Sequence, residues 1–263
     1  MKTRTLLIFI QIITGGIWLG GQEPDSSALQ NKTYSFDIQF GINQIKEMNL
    51  LPLSHRGTLT EISFETEKIK NTLRHFQFSL VYSRLKTGME EMSKSGNIKL
   101  GLGYSFNFLI YKNNSLAYYL GPQMSLCYSY MLYPNWDDSH GYWADYLSFG
   151  ASNILSVSLK NENEWFTSLN FGLVSIFSRP EEIRSYKMDD SSLGGILKAL
   201  NSNIETGSMN KALQISLKSE YRFPVFVTRR EAVTYSMDIF RFSQKDEHPV
   251  IQIIYSIGIK IML

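Results

Sequence analysis

Past Gln22 this chain has no apolar run approaching the roughly 20 residues that a membrane-spanning helix requires, so a crossing, if there is one, must be made by strands. It has a single cysteine, Cys127, which excludes an internal disulfide framework. Charge of one sign is also missing. The formal net charge is +2, and removing Lys2 and Arg4 would bring the 26 basic residues level with the 24 acidic ones. A neutral chain has no general affinity for nucleic acid.

The segment containing those two cations, MKTRTLLIFIQIITGGIWLGG, places Lys2 and Arg4 ahead of a short apolar run and ends in small residues. That is the order of a secretory signal peptide, with cleavage expected after Gly21. The organisation read from the sequence is therefore a signal peptide over 1–21 and one large β domain over 22–263. An exported chain without disulfides must be held together by its sheet.

From Ile98 the sequence runs IKLGLGYSFNFLIYKNNSLAYYL. One parity holds Ile98, Leu100, Leu102, Tyr104, Phe106 and Phe108, and the other holds Lys99, Gly101, Gly103, Ser105 and Asn107, until the alternation loosens at Leu109. Period-two patterning recurs along the chain and predicts ten strands, near 33–42, 58–68, 73–86, 96–112, 115–131, 144–160, 164–178, 211–222, 232–243 and 249–263. The last two-thirds repeat the theme, with Leu147, Phe149, Leu155 and Val157 opposite Ser148, Gly150, Ser156 and Ser158.

The links alternate in length. Those at 69–72, 113–114 and 161–163 are tight, 223–231 is grouped with them, and 43–57, 87–95, 132–143 and 179–210 are long and polar. Alternating turns and loops, an even strand count and both ends on the short-turn side predict a closed antiparallel transmembrane β-barrel. Closure satisfies every backbone amide, the apolar parity faces lipid, and the Gly, Ser and Asn parity fits a narrow interior. A soluble secreted barrel or sandwich would instead point its apolar face inward.

Charges on the inward parity are Asp37, Glu61, Glu65, Glu67, Glu220 and Asp238 against Lys99, Lys218, Arg222 and Lys260. They are expected to pair within the lumen, because charges in low dielectric need partners. Aromatics at strand ends predict interfacial girdles, with Tyr34, Tyr118, Trp165 and Tyr221 near the short turns and Phe40, Tyr130, Tyr142, Trp143 and Phe177 toward the loops.

The leader, the alternation from Ile98, the Asn113-Asn114 turn and the terminal YSIGIKIML resemble small outer-membrane β-barrel proteins of Gram-negative bacteria across 22–263. The resemblance is architectural and implies short periplasmic turns, longer extracellular loops, contact with outer-membrane lipids, and a surface ligand or protein partner held by the loops.

The third loop, LYPNWDDSHGYW, is the densest candidate site. Trp136, Tyr142 and Trp143 can wall a pocket around Asp137, Asp138 and His140. These six are the expected binding residues. An Asp-x-His spacing can orient an imidazole as a base, and omptins, ten-stranded outer-membrane proteases, use an Asp-His pair with an acidic pair on other loops. Glu90 and Glu91 in the second loop are the only acidic doublet in a comparable place, without the family's alternating aspartates. His75 with Ser79, and His248 with Ser256, do not reproduce the His-Ser site of lipid A deacylases. No second cluster has metal-ligand spacing, so no metal or cofactor is expected. The reading is a noncatalytic barrel, structural or ligand-binding, with a filled lumen; the alternative is an outer-membrane hydrolase using Asp138 and His140. In the fourth loop, Leu193, Ile196, Leu197 and Leu200 predict a short helix over the barrel mouth.

Overall fold

In a computed structural model, described for residues 31–47, 54–87, 94–132, 141–179, 194–195, 198, 204–226, 229–243 and 249–263, the strands join one antiparallel sheet. They are β1 (Asn31–Glu47), β2 (Ser54–Ile69), β3 (Thr72–Lys86), β4 (Lys94–Lys112), β5 (Leu116–Leu132), β6 (Gly141–Trp143), β7 (Asp145–Ser158), β8 (Glu164–Ser178), β9 (Ile204–Ser208), β10 (Ala212–Phe226), β11 (Arg229–Phe242) and β12 (Val250–Met262). Ten long strands form the wall. The short β6 pairs with β5, and the short β9 pairs with β8 above the point where β8 leaves β10. The sheet closes because β1 pairs with both β2 and β12, from Ser35↔Met262 to Glu47↔Val250 along the seam. Two backbone bonds between Tyr34 and Leu263 extend that seam.

The period-two expectation holds along most of each of the ten strands. Asp37, Gln39 and Asn43 are buried while Phe36, Ile38, Phe40 and Ile42 face out, and on β12 Gln252, Ser256 and Lys260 are buried while Tyr255, Ile257 and Ile259 face out. Phe40, Ile257 and Ile259 are 60%, 60% and 61% exposed. An apolar face this continuous and this exposed matches lipid, not water. The polar parity is the one enclosed, which removes the soluble alternative.

The tight turns are built by their own residues. Asn113 Oδ1 accepts the backbone N–H of Ser115 (2.9 Å) and Leu116 (2.7 Å), an Asx turn joining β4 to β5. Between β7 and β8, Asn161 and Glu162 both take positive φ, 60° and 62°, as a primed hairpin turn demands. Asparagine tolerates that region and glutamate does not, so Glu162→Gly should stabilise the barrel by about 1 kcal/mol. Urea unfolding in lipid vesicles would show it; no change in midpoint would mean the turn is unstrained. The link read as 223–231 is shorter than expected, since β10 runs to Phe226 and β11 begins at Arg229.

Three register shifts break the simple alternation, one of them at Pro224–Phe226 near the end of β10. Register shifts between Leu109 and Tyr111 on β4, where the sequence pattern loosens. On β8 the residue opposite Phe149 is Val174 while Gly150 faces Gly172, one residue extra. A Cβ on Gly150 would lie 1.7 Å from the Phe171 carbonyl oxygen, so only glycine lets the strands approach there. Beyond that bulge the parity of β8 inverts, and Phe177 turns inward to 1% exposure. The girdle expected at Phe177 is thereby corrected, whereas Tyr34, Trp165 and Tyr221 do face out at the short-turn end. There Trp165 and Tyr221 make an edge contact at 6.2 Å, and Asn163 donates to the Tyr221 hydroxyl.

Candidate functional site

The lumen is filled in tiers. Toward the short turns, Leu73, Tyr119, Ile154 and Phe166 form an apolar floor. Above it lies a charged cluster whose members come from opposite walls. Lys260 Nζ reaches Glu65 (2.6 Å) and Glu220 (2.8 Å), with Glu67 at 3.6 Å. Lys218 Nζ donates to Asp37 (3.0 Å) and to Glu65. Arg222 is bidentate on Glu67 (2.7 and 3.1 Å), donates to Glu220 (2.7 Å) and lies 3.8 Å above the Phe166 ring. Because β10 and β2 are not neighbours in the sheet, these bonds span the interior.

The pairing expected of the inward charges is seen in this cluster. His75 meets Glu65 at 3.2 Å, as a lumen histidine rather than half of a His-Ser site. Glu65, Glu67 and His75 place three potential ligand atoms within 4.8 Å of one another. Their carboxylates are, however, already engaged by Lys260, Lys218 and Arg222.

Farther up, amide and hydroxyl side chains predominate. Gln39 donates to Asp37 (2.7 Å) and accepts from Ser236 (2.8 Å) and Ser256 (2.6 Å). Asn43 donates to Ser83 and Asn97, and Asn97 to Ser129, which links β1 through β5. Lys99 shares the inward parity with Glu61 and Asp238.

At the loop end the inward parity turns apolar. Ile45, Leu85, Met131, Tyr146, Phe177, Phe240, Phe242 and Val250 belong to one buried cluster. Phe177 stacks on Phe242 at 5.1 Å, Tyr146 on Phe240 at 4.5 Å, and Phe240 meets Phe242 edge-on at 3.9 Å. This aromatic cap was not anticipated from the sequence. Its signal was Phe240 and Phe242 on the inward parity of β11, which reads like the lipid face shifted by one residue.

Of the third-loop candidates, Trp136, Asp137, Asp138 and His140 lie outside the described residues, as do Glu90, Glu91 and His248. Tyr142 is in β6, opposite Met131. Trp143 is fully buried, and its indole N–H donates to Ser178 (3.3 Å). A ring buried and bonded in this way is structural, so Trp143 belongs neither to an exposed girdle nor to an accessible aromatic wall. In the fourth loop, residues 194–195 and 198 are helical, and the segment read as loop over 179–210 also contributes β9. The signal segment lies outside the described residues.

A closed barrel with a lipid-compatible outer face, interfacial aromatics and a polar interior is an outer-membrane β-barrel, and the protein is placed in the outer membrane. No protein-family profile and no curated protein matches the chain. Among solved structures it is similar to the outer membrane protease OmpT from Escherichia coli, at 6% identity and a TM-score of 0.48 over 90% of this chain and 99% of that one. It is similar to the translocator domain of autotransporter NalP from Neisseria meningitidis at 7% identity and a TM-score of 0.45, covering 98% of this chain and 95% of that one. A third structure, Neisserial surface protein A, matches at 12% identity and a TM-score of 0.34, covering 87% of this chain and 96% of that one. The assignment to the class rests on the barrel's own closure and sorting of residues.

Proposed function

We propose that this barrel is a noncatalytic outer-membrane platform with a closed lumen, presenting its extracellular loops for ligand or partner binding. The observation that carries this reading is the filling of the interior: the cations of the charged cluster are held by carboxylates from opposite walls, and an aromatic cluster covers them at the outer mouth. A narrow barrel filled this way has its interior committed to stability, which leaves the loops for function. The loop candidates are Trp136, Asp137, Asp138, His140 and Tyr142.

The refolded protein should give no stable conductance steps in a planar bilayer. Sustained large steps would overturn the closed lumen. The same preparation should hydrolyse neither peptides nor lipid A, and turnover abolished by His140→Ala would establish the hydrolase instead.

A further inference from the structure

Outside the barrel, immediately beyond the lipid-facing band on the loop side, six basic residues occupy the outward parity of adjacent strands: Arg241, Lys46, Arg56, Arg84, Lys86 and Lys94. Register puts them together. Arg56 is directly opposite Lys86, and Lys86 directly opposite Lys94, so three cations form one row spanning about 10 Å across three strands. Arg84 follows two residues below Lys86, and Lys46 and Arg241 both flank Ile251. All six are exposed, and none is paired with a carboxylate among the described residues.

Like charges directly opposed in a sheet destabilise it, so a bare row of this kind is costly unless an anion covers it. The outward parity of β11, β12 and β1–β4 holds no acid on this half of the barrel. Below the row the apolar face continues around the wall, where Tyr130 and Tyr128 of β5 lie opposite Ile98 and Leu100.

The short-turn rim repeats a basic row, Lys32, Lys68 and Arg74. There, however, Lys32 lies over the Tyr34 ring (4.5 Å) and Arg74 over the Phe106 ring (5.1 Å), so two of the three have aromatic partners. The loop-side row has none among the described residues. Directly beneath it, Ile42, Tyr82, Ile98 and Leu100 are exposed. Cations above an apolar wall match a molecule with phosphates at its head and acyl chains below.

We infer that the outward face of β1–β4 at the loop-side rim binds the phosphorylated headgroup of an outer-leaflet glycolipid, with its acyl chains lying along Ile42, Tyr82 and Ile98. This inference depends on the orientation of the barrel in the outer membrane and not on what the loops bind.

The test titrates bis-phosphorylated lipid A in detergent micelles against the wild-type barrel and against R56S/K86S/K94S, with retained heat-modifiability as the check on folding. The triple variant should bind about tenfold or more weakly, and the wild-type affinity should fall with salt. In lipid-free detergent the variant should be more stable than wild type, because the opposed charges are gone. Equal binding by the two proteins would overturn the site. So would a similar loss in K32S/K68S/R74S, since general basic attraction would then explain the result, and so would equal wild-type affinity for zwitterionic phosphatidylcholine. Competition by inorganic phosphate alone at the lipid's own concentration would assign the row to a free anion and overturn the lipid.

Discussion

Replacing Lys260 by methionine should destabilise the barrel by about 3–5 kcal/mol, the cost of stranding buried charge after one partner is removed. Lys260 is wholly buried, and its ammonium is shared by Glu65, Glu220 and Glu67. Methionine keeps most of the stem but leaves those carboxylates facing one another with only Lys218 and Arg222 to hold them. Urea unfolding in lipid vesicles measures the loss, and Lys260→Met combined with Glu65→Gln should recover a sizeable part of it, because the two changes act on one contact. A single variant as stable as wild type would mean that water reaches the cluster and screens it.

Truncating Phe242 to alanine should cost a similar amount, about 3–5 kcal/mol. The ring is fully buried, stacked on Phe177 and edge-on to Phe240, so its removal leaves a void at the outer mouth. Two readouts should move together. The unfolding midpoint falls, and in a planar bilayer brief small conductance events appear that wild type lacks. Unfolding without conductance would place the seal in the charged cluster below. Conductance with unchanged stability would show that the cap gates the mouth without contributing to the fold.

Most of the wall was legible because a bilayer and a narrow lumen impose opposite demands on alternate residues. The ten segments read from the sequence coincide with the ten long strands to within a few residues at most ends, and Asp37, Glu65, Glu67, Lys218, Glu220, Arg222 and Lys260 all lie on the parity expected. What escaped the reading were departures from period two. The bulge at Gly172–Val174 inverts the end of β8 and carries Phe177 inward, and no local residue pattern distinguishes that inversion from a girdle aromatic. The break at Met209–Lys211, which separates β9 from β10, was hidden inside a polar loop. Trp143 was misplaced for a related reason, since a loop-end tryptophan beside Tyr142 reads as surface, whereas its N–H is satisfied by Ser178. The candidate loop residues 136–138 and 140 depend on loop conformation, to which alternation is blind.

The seam between β1 and β12 also bears on how the barrel is made. Every other wall contact joins long strands that follow one another in the chain, and hairpins with short links such as β2–β3 and β4–β5 can form early at low entropic cost. The thirteen-pair seam from Ser35↔Met262 to Glu47↔Val250 joins strands at opposite ends of the described sheet. Its closure therefore carries the greatest loop entropy and sets a slow final step. Until then two strand edges and a lipid-seeking face stand open in water, the condition under which chains aggregate. Assembly of this protein should accordingly be governed by the lifetime of the unclosed sheet, and agents that cover open edges should raise its folding yield without altering its final stability.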